Sequence, residues 1–127
     1  MKMRMMLAAP VLAALAIALA TPAAAMSMSF SWGPTKSCFD RKSPPIRLSG
    51  VPKGTVKIRF RMKDLDAPMY PHGGGTVKWK GQRALPYGAF RYKGPCPPRR
   101  HRYRITAEAL DRNGKVLARA SAIRPFP

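Results

Sequence analysis

Val56-Lys57-Ile58-Arg59-Phe60-Arg61-Met62-Lys63 is the stretch on which the architecture turns, because apolar and cationic residues alternate along it without a break. Successive side chains of a strand point to opposite faces, so Val56, Ile58, Phe60 and Met62 share a core face and four cations share the other. On a helix the same apolar residues would scatter around the axis, which excludes an amphipathic helix here. Residues 101–110 alternate again, with His101, Tyr103, Ile105, Ala107 and Ala109 on one face. Asp111-Arg112-Asn113-Gly114 follows, then a strand-like run over 115–123. Asn-Gly between two such runs predicts a hairpin, since both residues tolerate positive φ. A helix over 115–122, resting on its Leu and Ala content, is the second-ranked alternative.

Between the patterned runs, residues 64–75 read as a loop with Pro68, Pro71 and glycines at 73, 74 and 75. A short strand is expected over 76–80, with Val77 and Trp79 on one face, then a turn over 81–88 and a further short strand over 89–93. Gly94-Pro95-Cys96-Pro97-Pro98 is a stiff connector, because proline fixes φ and removes backbone donors. Residues 26–45, broken by Ser and Pro, read as an extended entry segment. The expectation is an all-β domain, a small antiparallel β-sandwich.

The N-terminus reads differently. Lys2 and Arg4 precede an apolar run over 5–20, which meets Ala23-Ala24-Ala25, a small-residue site of the kind signal peptidase accepts. Residues 1–25 are therefore expected to be a signal peptide and 26–127 the mature domain, periplasmic or secreted. An uncleaved membrane anchor is the competing reading, since 5–25 is long enough to span a bilayer. Pro10, Pro22 and the Ala-rich composition favour cleavage.

The chain holds 24 Lys and Arg against five acids (Asp40, Asp64, Asp66, Glu108 and Asp111), a formal charge of +19. Loss of Lys2 and Arg4 with the signal peptide barely changes that imbalance. Such a charge attracts polyanions and opposes compaction, yet it names no partner, and solubility is an equally good account of it. Cys38 and Cys96 are the two cysteines. An even count in an exported chain usually means a disulfide, and two thiols alone fall short of a structural metal site.

Several motifs now line up in order. Ser43-Pro44-Pro45-Ile46, then Ser49-Gly50-Val51-Pro52-Lys53-Gly54-Thr55, resembles the Ser-Pro-Pro-Leu … Gly-Val-Pro-x-Gly-Thr stretch of the phosphatidylethanolamine-binding proteins, in particular the bacterial Raf-kinase-inhibitor-like group. Asp64-Leu65-Asp66-Ala67-Pro68 is similar to that family's Asp-Pro-Asp-Ala-Pro loop. Gly94-Pro95-Cys96-Pro97-Pro98 followed by His101-Arg102-Tyr103 is similar to its Gly-Pro-Cys-Pro-Pro … His-Arg-Tyr signature. The matches span most of residues 36–111.

The resemblance implies a sandwich whose loops line a small anion pocket, able to hold phosphate or a phosphorylated head group. Carried over by position, its residues are Asp64, Asp66, Gly94, Pro95, His101 and Tyr103, with His72 as the second pocket histidine although Gly73 follows it where the family has Trp. Two departures stand out. Leu65 replaces the loop's central proline, removing one constraint on the pocket. The helical segment that the family carries after the His-Arg-Tyr strand is missing, which is expected to remove one wall and leave a shallower site.

In such a pocket the imidazoles donate to phosphate oxygens, a carboxylate of Asp64 or Asp66 orients a ring nitrogen, Tyr103 offers a hydroxyl, and Gly94 lets backbone N–H groups approach the ligand. No cofactor or metal is implied. Catalysis is not expected: Asp-x-Asp with two isolated histidines is a weak metal pattern, and Cys96, the nucleophile nearest His101, would be consumed by a disulfide. The leading expectation is thus a non-enzymatic binding protein for a small anion, phosphate or phosphoethanolamine-like. The second is an interaction protein whose Lys57, Arg59, Arg61 and Lys63 face meets an anionic membrane surface or polymer. Nucleic acid is not an expected partner, since no aromatic-studded RNA-binding signature appears.

Overall fold

The structure is a computed structural model describing residues 2–3, 5–15 and 25–127. Ala23 and Ala24 of the expected cleavage site, and residues 16–20 of the apolar run, lie outside the described residues. Residues 2–3 and 5–15 are exposed and form neither helix nor strand, and among the described residues no helix is long and apolar enough to cross a membrane.

The described residues form seven strands: β1 (Ser27–Phe30), β2 (Ile46–Ser49), β3 (Lys57–Asp64), β4 (Gly74–Lys78), β5 (Ala84–Leu85), β6 (His101–Leu110) and β7 (Val116–Phe126). They form two antiparallel sheets, β1-β2-β5 and β4-β3-β6-β7. The alternation of β3 behaves as read: Ile58, Phe60 and Met62 are buried and Lys57, Arg61 and Lys63 exposed, with Arg59 partly covered. Val56, expected on the core face, stands just before the strand and is exposed. Across the sandwich, Phe30, Ile46, Leu48 and Leu85 of the small sheet join Ile58, Phe60, Tyr103, Ile105, Ala107 and Phe126 of the large one in a single apolar cluster.

Short elements depart from the sequence reading. β1 lies inside the expected entry segment, and β2 is a strand that four residues of alternation were too brief to announce. β5 falls within the expected turn and pairs with Ile46 and Arg47 of β2. Residues 89–93, expected as a strand, make only the bridge of Arg91 to Lys42. There the chain forms an irregular ribbon: the N–H groups of Cys38, Ser43, Tyr92 and Gly94 donate to the carbonyls of Pro95, Phe90, Arg41 and Asp40. Prolines at 44, 45 and 95 remove donors on both sides, so a regular ladder cannot extend through it.

Gly74 and Gly75 open β4 rather than close the loop before it. The reason is contact: a Cβ at Gly74 would overlap the Phe60 carbonyl oxygen, and one at Gly75 would sit 2.8 Å from the Phe90 side chain. Bare backbone lets Phe90 stack on Phe60, ring centroids 4.8 Å apart. The hairpin between β6 and β7 is as expected, but only Gly114 takes positive φ (79°). Asp111 builds the rest of the turn, its Oδ1 accepting from the N–H groups of Asn113 and Lys115. The helix considered over 115–122 is absent, those residues lying in or beside β7.

Candidate functional site

The inward face of β3 ends on a carboxylate. After Ile58, Phe60 and Met62 the next inward residue is Asp64, which is buried. Opposite it in register stands Tyr103 of β6, and His101, two residues earlier on the same face, brings its Nδ1 to 2.7 Å from Asp64 Oδ2. The other oxygen, Oδ1, accepts from the N–H groups of Asp66 and Ala67 at 2.9 and 3.0 Å and so shapes the loop leaving the strand. Burial pushes the Asp64 pKa up, but the His101 hydrogen bond and charge and the two N–H donors outweigh it, holding the carboxyl below its ordinary value.

His72 joins the cluster from the loop before β4. Its backbone carbonyl accepts from the Lys93 N–H, and its Nδ1 lies 2.7 Å from the Lys93 carbonyl. A carbonyl only accepts, so Nδ1 carries the proton and donates. Nε2 is left buried with no hydrogen-bond partner in the protein. The His72 ring meets Tyr103 edge to face at 5.5 Å, and the Tyr103 and His101 rings lie 6.5 Å apart. Burial first, and the Asp64 charge second, push the Tyr103 phenol up, so it stays a neutral hydroxyl.

Four of the seven expected site residues, Asp64, His72, His101 and Tyr103, therefore converge. The remaining three have other partners. Asp66 turns to Arg102, accepting its N–H at 2.7 Å and its guanidinium at 3.3 Å, and backbone donation from Arg102 is the main cause of its lowered pKa. The Gly94 N–H, expected to approach a ligand, donates to the Asp40 carbonyl; a Cβ at Gly94 would overlap that oxygen. Pro95 is buried and its carbonyl receives the Cys38 N–H. The disulfide between Cys38 and Cys96 closes the same ribbon, which fixes Lys93 and through it His72.

Leu65 does not loosen the loop as expected. Its N–H, which proline would lack, donates to the Arg102 carbonyl at 2.8 Å. The hairpin that stands where a helical wall was expected lies at the far end of β6 from His101. Around the cluster are aromatic residues that sequence reading did not select: Trp32 packs edge-on to Tyr103 and Phe126 at 5.6 and 5.0 Å, and Tyr70 covers His72 at 4.7 Å. Trp32 had a signal, since Met26, Met28, Phe30 and Trp32 alternate; Tyr70 and Phe126 had none. With these in place Asp64, His72 and Tyr103 are almost fully covered, and His101 keeps 12% side-chain exposure. The edge of the His101 ring is the exposed part of the cluster.

No family model matches the chain, and no curated protein matches it in sequence. Among solved structures it is similar to a phosphatidylethanolamine-binding protein homologue from Chlamydia trachomatis, at 19% identity and a TM-score of 0.60 over 81% of this chain and 97% of that one. It is also similar to YbcL of E. coli, a member of the mammalian PEBP family, at 18% identity and a TM-score of 0.61 over 81% of this chain and 98% of that one. The chain thus has the fold that the motifs led one to expect, an all-β sandwich of the phosphatidylethanolamine-binding-protein type.

Proposed function

We propose that this chain is a member of the phosphatidylethanolamine-binding proteins and works as an exported, non-enzymatic binding domain for a small anion, phosphate or a phosphorylated head group. The ordered motifs and the shared fold support the family, and the disulfide supports an oxidising compartment. The disulfide also occupies Cys96, the nucleophile nearest His101. The observation that carries the ligand reading is His72 Nε2. A buried polar atom without a partner costs about 1–3 kcal/mol, and this one belongs to a ring packed edge to face on Tyr103, whose own strand carries His101 to Asp64.

Since Nδ1 already carries the ring's proton, Nε2 accepts, and the P–OH of a monoprotonated phosphate group beside it would satisfy it, with the Tyr103 ring packed against the same imidazole. Asp64 holds His101 by Nδ1 and leaves its Nε2 to face the anion. The exposed edge of the His101 ring is where the cluster meets solvent, and Tyr70 covers His72 beside it. Calorimetric titration with phosphate and with phosphoethanolamine tests this, the wild type binding at least one and His72→Phe and His101→Ala each losing most of that affinity. Unchanged affinity in both variants removes the pocket.

A further inference from the structure

Two loops project beside the covered cluster, and their apolar tips stand in solvent. Phe39 is 97% exposed and Met69 93%, with Tyr70 partly so. Phe39 and Tyr70 line one hollow of about 100 Å³ together with Arg41 and Lys93, whose Nζ lies 5.0 Å from the centre of the Tyr70 ring. On its other flank Phe39 borders a wider depression of about 390 Å³ that includes Lys36, Lys42 and Arg91. The acid among these residues, Asp40, is already engaged by the N–H groups of Lys36 and Lys42 and by the Tyr87 hydroxyl. The patch therefore sets two aromatics, with the exposed Met69 next to Tyr70 in the chain, beside five cations (Lys36, Arg41, Lys42, Arg91 and Lys93) that outnumber the one acid, Asp40.

Phe39 is held in this position. Cys38 and Phe39 both take left-handed φ, 61° and 59°, a region that side chains beyond glycine rarely adopt. The disulfide and the Cys38 N–H bond to Pro95 hold that backbone, so the ring cannot fold back to cover itself. A rigid exposed aromatic inside a ring of Lys and Arg matches the head-group zone of an anionic bilayer, where the ring enters the acyl boundary while the cations reach phosphates. A soluble polyanion would use the cations and leave Phe39 and Met69 in water.

We propose that Phe39, Met69 and Tyr70, with Lys36, Arg41 and Lys93, form a docking surface for an anionic phospholipid bilayer. The proposal goes beyond the anion pocket and stands without it. The test uses the full chain on phosphatidylcholine vesicles containing phosphatidylglycerol with brominated acyl chains, and reads a tryptophan at the tip itself, so that attachment by any other segment does not confuse it. Phe39→Trp is expected to shift its added emission to the blue and to lose intensity to the bromines, over the background of Trp32 and Trp79 measured in the wild type. Arg112→Trp, at the hairpin tip on the opposite end of β6, is expected to show neither change. His101→Ala combined with Phe39→Trp keeps the quenching, which separates failure of docking from failure of the pocket. An unquenched Phe39→Trp, equal quenching on vesicles of phosphatidylcholine alone, or stronger quenching of Arg112→Trp overturns the proposal.

Discussion

Asp64 continues the alternation of β3 at a place where an apolar residue is due, and its carboxylate is bound to His101 and to two N–H groups of the following loop. Its pKa is lower in the fold than in the unfolded chain. The stability it contributes is thus fully present above about pH 4, the ordinary carboxylate value, and is lost as pH falls through the folded value. Urea unfolding of the wild type is expected to show a weakening as pH falls below about 4, and Asp64→Asn should flatten that slope. At pH 7 the same variant is expected to lose about 2 kcal/mol, because the buried carboxylate's hydrogen bonds to His101 and to two N–H groups are replaced by weaker ones to a neutral amide. Two glycines give a contrast at this scale. Gly73 has φ 67° and nothing within 4 Å of a built Cβ, so Gly73→Ala meets only the left-handed penalty of about 1 kcal/mol. Gly74→Ala drives a methyl into the Phe60 carbonyl and is expected to cost more, about 2–3 kcal/mol of overpacking, in the same urea experiment.

Elements are joined here by a few cross-links. The disulfide spans 58 residues and closes the ribbon that holds Lys93 against His72. In the chain-entropy account a loop of that size stabilises the fold by about 4 kcal/mol. Cys38→Ser with Cys96→Ser is expected to lose most of that in denaturant titration, and to loosen the His72 backbone, read as faster hydrogen exchange at Lys93. On the outer face of the large sheet, Glu108 of β6 accepts from Arg59 of β3 at 3.0 Å and Arg119 of β7 at 2.8 Å, tying three strands. The Arg119 hydrogen bond, ahead of the opposing burial, lowers the Glu108 pKa. Both guanidiniums are partly exposed, so screening limits the gain. Glu108→Gln is expected to lose about 1 kcal/mol at low salt and less at high salt.

At the scale of the whole molecule, every acid is occupied locally. Asp40 and Asp111 organise turns, Asp64 and Asp66 bind His101 and Arg102, and Glu108 binds two arginines. The rest of a formal charge of +19 therefore has no internal counterweight. Like charges even face each other in register, Lys57 opposite Lys78 and Lys63 opposite Arg104. Such pairs repel, and salt screens them. The melting temperature at pH 7 is expected to rise as sodium chloride goes from low concentration to about 0.5 M. A fall over that range would mean that the ion pairs outweigh the repulsion.

Local pattern decided a good part of this protein. Alternation over 56–63 and 101–110 is written residue by residue, so the central strands, their buried faces and the β6–β7 hairpin were legible, and so was the cysteine pair. The motifs brought Asp64, His101 and Tyr103 into view for the same reason, since each is anchored to a patterned strand. Tertiary contact decided the remainder. Strands of four, four and two residues carry too little period to be read, and two glycines announce a turn until Phe60 and Phe90 press against them. His72 belongs to the cluster only because Lys93, 21 residues away, receives its Nδ1, and Gly94 faces Asp40 rather than a ligand. Which faces are apolar is written in the order of residues, because that depends on neighbours one and two positions away. Which residues close over Tyr103, and which ring is left standing in solvent, depends on segments far apart in the chain meeting in space, and only the folded sandwich decided it.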